Sequence, residues 1–224
     1  MGADLAVIVT ARNEADRLGA TLRALREAFP GAELWVADDA SEDATAHVAL
    51  QEGARLVSAP QRLGKGGAAT LAAEALLSES DPRVLLADAD LGDSAAQLHL
   101  LVDAVQGDEA DLAIATFARR VGGGFGIAVG ASRWAIQRAT GRAMEAPMSG
   151  QRAMRAGVLA DLLPFAPRFG IETGMTIDAL RQGLRVVEVP LDLEHRATGK
   201  TLRGFIHRGS QATDALRAYA SRRA

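Results

Sequence analysis

Two aspartates flank a single alanine, Asp88-Ala89-Asp90, directly after a short apolar run near the middle of the chain. Two carboxylates around a small residue can turn toward one point where the backbone leaves a strand and bends. Hard divalent cations such as Mg²⁺ and Mn²⁺ bind such oxygens and keep positions open for phosphate. A cation there would bridge a diphosphate and neutralise the charge of a leaving nucleotide. A pair of solvated turn acids is the alternative interpretation.

A second acidic cluster follows the apolar run that ends at Ala37. Asp38 and Asp39 stand where a carboxylate can accept from a base N–H or a ribose hydroxyl, so we interpret them as ligand-binding. Ser41 or Asp43 can instead cap the helix predicted to follow, and Asp43 is the better candidate for that structural role.

A lysine lies among glycines in Gly64-Lys65-Gly66-Gly67, ahead of an Ala/Leu-rich helical pattern. The longer spacing of a P-loop, with Ser or Thr after the lysine, is missing. Glycines expose backbone N–H groups and a helix start favours anions, so Lys65 is a candidate contact for a base or phosphate. A simple flexible turn is the alternative.

The patterns around these clusters alternate between strand and helix. We predict strands over 5–10, 33–37, 55–58, 83–87 and 111–116, and helices over 14–29, 43–53, 66–78 and 94–105, with Ser94 as an N-cap and Gly53 at a C′ position. This alternation predicts an α/β fold with a Rossmann-like, mostly parallel sheet and helices on both faces. Ligands gather at the carboxyl ends of such strands, where all three polar clusters lie.

The second half is less regular. We predict a glycine-rich loop over 119–130, helices over 134–140 and 172–183, and a strand or turn at 149–155 followed by a small helix ending at Pro164. Residues 185–194 are either a strand pair or one strand bent at Pro190. We expect a single domain over 1–224, with a nucleotide-sugar half over 1–116 and an acceptor half over 117–224.

Composition narrows the class of protein. The 224 residues contain no cysteine, which excludes disulfide scaffolds and thiolate metal sites. A net charge of −3 gives no reason to expect nucleic acid as a partner. The start lacks a basic segment before its apolar run, so we expect no signal peptide and a cytoplasmic location. Lys200–Ala224 contains six Lys/Arg and one acid, which suits a phosphate-bearing acceptor, peripheral contact with the inner face of a membrane, or a solvated tail.

Four segments in this order, VIVTARNE, VADDASEDAT, GKGGA and LLADADL, resemble the GT-A fold glycosyltransferases of family 2 and their retaining relatives. These include dolichyl-phosphate mannosyltransferase-like enzymes and glucosyl- and mannosyl-3-phosphoglycerate synthases. The resemblance implies a nucleotide-sugar donor, a UDP- or GDP-hexose, and a divalent metal, Mg²⁺ or Mn²⁺. It implies that the donor contacts Ala11, Arg12, Glu14, Asp38, Asp39, Lys65, Asp88 and Ala89. The family's usual proline and aromatic are replaced by Thr10-Ala11-Arg12, which leaves the base open.

Later segments are similar to acceptor-side stretches of the same enzymes, namely SGQRAMR, GIETG, EHR and RATGKT. The resemblance implies a small phosphorylated or lipid-phosphate acceptor, and metal ligation by Asp90 and His195. It places the acceptor near Ser149, Gly150, Arg152, Thr173, Arg196 and Lys200. Asp88 and Glu172 are the implied catalytic residues, and a second copy of the chain is a further candidate partner.

The mechanism stays open between two readings. Inverting family-2 enzymes often carry an E-D pair where this chain has Glu172-Thr173. Either the transfer retains configuration and needs no base, or the acceptor is an anionic phosphate. The EHR motif favours retention, with an inverting polyprenyl-phosphate transferase as the alternative. A nucleotidyltransferase would carry a glycine-rich signature after the first strand, which is absent, and a non-catalytic nucleotide-sugar-binding module is the third hypothesis.

Overall fold

The protein is represented by a computed structural model, which describes residues 4–117, 126–193 and 202–222. The strands are β1 Leu5–Ala11, β2 Glu33–Asp38, β3 Arg55–Ser58, β4 Arg83–Asp88, β5 Leu112–Phe117, β6 Arg152–Arg155 and β7 Val186–Leu191. The α-helices are α1 Ala15–Ala28, α2 Thr45–Gln51, α3 Lys65–Leu77, α4 His99–Gln106, α5 Gly126–Thr140, α6 Ala156–Asp161, α7 Ile171–Arg181 and α8 Leu202–Ala220.

These strands form one sheet in the order β3-β2-β1-β4-β6-β5-β7. All neighbours pair in parallel except β6, which is antiparallel to both β4 and β5. The predicted α/β fold with a mostly parallel sheet is therefore confirmed. The single reversed strand joins the first four strands to β5 and β7, so both predicted halves contribute to the same sheet.

Side chains of β1 alternate between two hydrophobic cores, one on each face of the sheet. Val7 and Val9 pack with α1, α2 and α4, whereas Ala6 and Ile8 pack with α3, α5, α6, α7 and α8. Both sets are buried, which is why β1 reads as a continuous apolar run. The carboxyl end of β1 is thereby fixed from both sides at the edge where the polar clusters lie.

Two local predictions are corrected and a third is confirmed. The prediction of a loop as far as Gly130 is wrong, since α5 begins at Gly126 and buries Ala128, Ser132, Ala135 and Ile136 at helical spacing. Ser94 is not an N-cap, because it lies inside a 3-10 helix over Gly92–Leu98. By contrast, Gly53 follows α2 with φ of 66°, as its predicted C′ position requires.

The segment around Pro190 is a single strand, which resolves the alternative left open by the sequence. β7 pairs only with β5, at the edge of the sheet. An edge strand tolerates a residue without an N–H, so proline does not interrupt it. Among the described residues, none of the helices is both long and apolar enough to cross a bilayer.

Candidate active site

The loops that follow β1 and β2 are joined by reciprocal hydrogen bonds. The backbone N–H of Asn13 donates to Ser41 Oγ over 2.9 Å, and the N–H of Glu42 donates to Asn13 Oδ1 over 2.9 Å. Asp39 N–H donates to the carbonyl of Ala11 over 3.0 Å. Asn13 adopts a φ of 54°, a conformation that asparagine tolerates better than most residues. The two predicted donor-binding segments therefore form one continuous rim.

Asp43 supports the starts of two helices. Its carboxylate accepts from the N–H of Thr45, the first residue of α2, over 2.9 Å and from the N–H of Ala15, the first residue of α1, over 3.2 Å. These are N–H groups that no helical carbonyl can satisfy. The N-cap position itself belongs to Ala44, so Asp43 fulfils the predicted capping role from one residue earlier.

The neighbouring aspartates bind backbone in different loops. Asp38 Oδ1 accepts from the N–H of Ser41 over 3.2 Å, which closes its own turn. Asp39 Oδ1 accepts from the N–H groups of Leu63 and Gly64 over 2.7 and 2.8 Å. Asp39 is buried, and its two hydrogen bonds fix the backbone directly before α3, whose first residue is Lys65.

Lys65 lies between two carboxylates from distant parts of the chain. Its Nζ is 2.5 Å from Asp88 Oδ1 and 2.8 Å from Glu172 Oε1. Burial lowers the pKa of Lys65, but attraction to Asp88 and Glu172 outweighs burial and the net pKa is raised. Lys65 therefore stays charged, and we name these three side chains the Lys65 cluster.

Gly150 lies against the Lys65 cluster, where any larger residue would force Lys65 or Asp88 to move. A Cβ at Gly150 would overlap Lys65 Nζ and lie 2.8 Å from Asp88 Oδ2. Gln151, the next residue, donates from Nε2 to Asp88 Oδ2 over 2.7 Å. Ser149 Oγ donates in turn to Gln151 Oε1 over 3.1 Å. Residues 149–151 therefore leave space for the Lys65 side chain and fix the Asp88 carboxylate by a hydrogen bond.

Arg152 is enclosed beneath this segment, with 1% of its surface exposed. Its Nε donates to the carbonyl of Ser149 and its Nη1 to Thr176 Oγ1, each over 2.9 Å. Thr176 Oγ1 donates to the carbonyl of Glu172 over 2.8 Å, which ties β6 to the first turn of α7. Burial lowers the pKa of Arg152 to about 10, against the attraction of Glu172 and Glu188.

Two buried polar atoms beside the Lys65 cluster lack hydrogen-bond partners. They are Glu172 Oε2 and Arg152 Nη2. Both residues line a small cavity together with Thr10, Lys65 and Gly150. A buried polar atom without a hydrogen-bond partner costs free energy, and such atoms need an explanation where they occur. We therefore expect a ligand or water to bind in this cavity.

The backbone of the DAD triplet is held by a residue that the sequence patterns do not reveal. Thr21 of α1 donates from Oγ1 to the carbonyl of Ala89 over 2.8 Å and accepts from the N–H of Gly92 over 2.9 Å. Thr21 is fully buried among apolar neighbours of the helix, where its pattern indicates only core packing. It fixes the turn that carries Asp90, which is half-buried.

The structure places the predicted site residues in different positions. Lys65, Asp88, Gly150 and Glu172 are brought together, and Ala11, Arg12, Glu14, Asp38 and Asp39 border them on the β1 and β2 loops. Thr173 is buried and its hydroxyl contacts Ser132 Oγ of α5 over 2.7 Å, so its observed contact is between helices. His195, Arg196 and Lys200 lie outside the described residues. Within the ranges that the structure describes, no three carboxylate or imidazole side chains converge on one point.

Comparisons with known proteins agree with this geometry. Residues 6–155 match the family model described as glycosyl transferase family 2. The undecaprenyl-phosphate mannosyltransferase of Micrococcus luteus is 31% identical over 210 residues, which cover 87% of this chain and 85% of that protein.

Solved structures of glucosyl-3-phosphoglycerate synthase from Mycobacterium tuberculosis share the fold. The complex with phosphoglyceric acid superposes with a TM-score of 0.81 at 27% identity, over 99% of this chain and 80% of that one. The complex with Mn²⁺, UDP and glucosyl-3-phosphoglycerate gives 0.80 at 27% identity over the same shares. The predicted GT-A type fold is confirmed by this likeness. The chain belongs to glycosyltransferase family 2.

Proposed function

We propose that this glycosyltransferase moves a hexose from a UDP- or GDP-hexose to a phosphate-bearing acceptor in a metal-dependent reaction. The observation that carries the proposal is the Lys65 cluster, a buried ammonium between two carboxylates at the carboxyl end of β4. A charged lysine there can exchange a carboxylate for a phosphate oxygen when a donor enters. The relatives support the same chemistry, since one was crystallised with Mn²⁺, UDP-glucose and phosphoglyceric acid.

The side chains proposed to bind the metal are suited to a hard divalent cation. Asp88 and Asp90 offer carboxylate oxygens on the turn that Thr21 holds, and such oxygens suit Mg²⁺ or Mn²⁺. We propose Asp90 as the main ligand, with His195 as the imidazole ligand implied by the family resemblance. When bound, the cation would neutralise charge on the departing nucleotide diphosphate.

The rim of the β1 and β2 loops is the proposed donor pocket. Asp39 has one oxygen engaged by the 63–64 backbone and keeps the other for a ribose hydroxyl or base N–H. Arg12 has a buried Nε without a partner and a long, 3.5 Å contact to Glu42, so its guanidinium is available to a nucleotide. Ala11, Glu14 and Asp38 complete the pocket.

The acceptor is proposed to enter beside Ser149 and Gly150, with Arg152 and Thr173 supporting that wall and Arg196 and Lys200 contributing charge. Glu172 is ion-paired with Lys65, which makes it a better orienting group than a general base. An anionic acceptor phosphate or a retaining transfer needs no such base. The EHR motif supports retention, with a soluble phosphorylated acceptor.

The second candidate is an inverting transfer to a polyprenyl phosphate. It is favoured by the 31% identity with an undecaprenyl-phosphate mannosyltransferase over 87% of this chain. It brings with it the proposal of peripheral contact at the cytoplasmic face of a membrane. Homodimer formation remains a prediction.

A thermal-shift screen of nucleotide sugars with Mg²⁺ or Mn²⁺ tests the donor. A ligand present at about a hundred times its Kd stabilises the native state by about 2.7 kcal/mol, which is readily measured. One UDP- or GDP-hexose should raise the melting temperature only when the metal is present. A screen in which no nucleotide sugar raises it would contradict the proposal.

Asp90→Ala tests the metal, and His195→Ala its second ligand. Each should lower metal-dependent turnover by about a thousandfold or more while the melting temperature without ligands is retained. Asp93→Ala is the matched control, an exposed aspartate three residues further on, and should retain full turnover. Metal-dependent turnover that survives in either variant counts against that residue as a ligand. The anomeric configuration of the product, read by NMR, separates retention from inversion.

A further inference from the structure

Three large apolar side chains are exposed where α5 and α8 lie side by side. Ile127 and Trp134 of α5 are 77% and 52% exposed, and Leu216 of α8 is 43% exposed. Ile127 and Trp134 are seven residues apart and therefore share one face of their helix. The rings of Trp134 and Tyr219 meet edge to face at 5.3 Å, which places that face next to α8. We call Ile127, Trp134 and Leu216 the α5/α8 face.

The two helices are strongly basic although the chain as a whole is acidic. Their 34 residues contain five arginines, Arg133, Arg138, Arg203, Arg208 and Arg217, and a single acid, Asp214. Asp214 is only 4% exposed, whereas the whole chain has a net charge of −3. Arg138 follows Trp134 by one turn and lies on the same side of α5. Arg138, one turn from Trp134, and Arg217, which is 74% exposed beside Leu216, therefore combine cationic with apolar groups at this face.

The opposite side of α5 reaches the active site. Ser132 is fully buried and its hydroxyl contacts Thr173, the neighbour of Glu172 in the Lys65 cluster. The α5/α8 face therefore lies about one helix diameter, roughly 10 Å, from Thr173, one of the residues proposed to support the acceptor wall. A phosphate carried at the end of a membrane lipid would need a bilayer contact at about this distance.

Single exposed apolar residues are ordinary on protein surfaces, so it is the charged surroundings of this face that indicate its partner. A tryptophan beside arginines is typical of the boundary between water and lipid, where its ring lies at the level of the headgroups. A second copy docked symmetrically would bring the same arginines of both copies together. An anionic lipid surface instead complements them.

We propose that the α5/α8 face docks on an anionic lipid bilayer. The inference rests on the polyprenyl-phosphate candidate of the proposed function, because docking here would present the lipid phosphate to the Lys65 cluster. Binding combines insertion of the three apolar side chains with attraction of the arginines to the lipid headgroups. It therefore weakens with added salt.

The chain carries its own probe for this contact. It has two tryptophans, and the other, Trp35, is 2% exposed beneath the Arg55 guanidinium. In a Trp35→Phe variant, all tryptophan fluorescence reports Trp134. Vesicles of equal parts phosphatidylglycerol and phosphatidylcholine should shift this emission to shorter wavelength and carry the unmodified chain upward in a density gradient. Vesicles of phosphatidylcholine alone should do so more weakly. An unshifted spectrum together with no flotation overturns the proposal.

Point variants locate the surface. Ile127→Ser and Leu216→Ser should each weaken vesicle binding by about tenfold, as loss of one partly inserted aliphatic side chain implies. Leu50→Ser is the matched control, since Leu50 is 59% exposed on α2, which packs on the other face of the sheet. Equal losses in Leu50→Ser and Leu216→Ser would overturn the assignment. So would a lipid-free dimer that Leu216→Ser dissociates, because the face would then bind a second copy.

Transfer to a short-chain, water-soluble polyprenyl phosphate tests the acceptor separately from the membrane contact. Transfer in solution without vesicle binding would overturn the docking of the α5/α8 face and leave the polyprenyl-phosphate candidate standing. Vesicle binding without transfer to this acceptor or its long-chain form would reject the polyprenyl-phosphate candidate, and with it the reason given for the docking.

Discussion

The halves proposed to bind donor and acceptor, residues 1–116 and 117–224, contribute to one cluster of side chains in different ways, and we call them the donor half and the acceptor half. In the donor half, β1, β2 and β4 run in parallel and each ends in a polar loop at one edge of the sheet. In the acceptor half, Gln151 comes directly before the antiparallel β6, and Glu172 belongs to the first turn of α7. The first half places its side chains through strand order, and the second places them through contacts distant in sequence.

The difference shows in the hydrogen bonds themselves. Lys65 and Glu172 are separated by 107 positions and Gln151 and Asp88 by 63. The Lys65 cluster and its support therefore join residues from both halves of the chain. Apart from the proposed metal ligands, variants at the junction should disturb catalysis most, and variants inside one half should disturb stability more than chemistry.

Among variants that leave the proposed metal ligands intact, the largest effect is expected at the junction itself, in Gly150→Ala. The added methyl group would overlap Lys65 Nζ and approach both oxygens of Asp88, at 2.8 and 2.9 Å. One of the three must move, which separates the lysine from the aspartate. We expect transfer activity to fall about a hundredfold, as a displacement of about 1 Å at a reacting centre can cause, in a steady-state assay with the identified donor.

Gly157→Ala is the control for this substitution. Gly157 lies in α6 of the same half, and a Cβ there meets nothing within 4 Å. It should keep full activity and gain up to about 1 kcal/mol of stability from the better helix propensity of alanine. Activity in Gly150→Ala equal to that of Gly157→Ala would mean that contact between Lys65 and Asp88 is unimportant for transfer.

The same contrast explains what the sequence could predict. Strand and helix positions of the donor half follow from continuous apolar runs and helical spacing, and the structure reproduces them within a few residues. The start of α5 was missed because glycines at 126 and 130 resemble a loop, while the helix is stabilised by packing on α7 and α8. Tertiary contacts of this kind leave no local signal.

The second prediction concerns a charge inside the acceptor half. Arg152→Met keeps much of the side-chain volume but removes the bonds to the Ser149 carbonyl and Thr176, and it leaves Glu172 with less compensating charge. Loss of one partner of a buried charged network costs about 3 kcal/mol. Urea unfolding should show this loss, while the thermal shift caused by the donor nucleotide persists because its rim lies in the other half.

Arg155→Met provides the comparison on the same strand. Arg155 is 47% exposed and pairs with Asp108 at the surface, so its removal should change the free energy of unfolding by less than about 0.5 kcal/mol. Equal losses for the two arginines would show that burial of Arg152 is not what makes it important. A vanished donor shift in Arg152→Met would show that the halves are not separable.

For the site, the sequence predicted residue types better than their contacts. Lys65, Asp88 and Glu172 were each singled out, but their mutual ion pairs depend on how β4 and α7 meet. Thr21 was missed because a threonine on the buried face of a helix looks like core, whereas its hydroxyl bridges Ala89 and Gly92. Polar atoms that bind backbone at a distance cannot be recognised from spacing.

Thr21→Val tests this hidden support inside the donor half. The substitution keeps the shape but removes both hydrogen bonds, and leaves the partly buried N–H of Gly92 without that acceptor. We expect a loss of about 1–2 kcal/mol in the free energy of unfolding and a severalfold weaker response to metal. Metal titration followed by thermal shift measures both. Unchanged metal affinity would mean that the Ala89 turn holds its conformation without Thr21.

The smallest effect is expected far from the junction, in Asp108→Asn. Hydrogen bonds from Arg155 and Arg185 lower the pKa of Asp108 from 3.8 to about 2. A carboxyl whose pKa is lower in the folded than in the unfolded protein stabilises above its unfolded value and loses that contribution as pH falls through its folded value. The melting temperatures of the wild type and Asp108→Asn should therefore differ slightly at neutral pH and converge between about pH 4 and pH 2. Because the ion pairs of Asp108 with Arg155 and Arg185 are exposed, added salt should reduce this difference in melting temperature. A difference that persists at pH of about 2 would mean that Asp108 acts through its backbone conformation, with φ of 58°, and not through its charge.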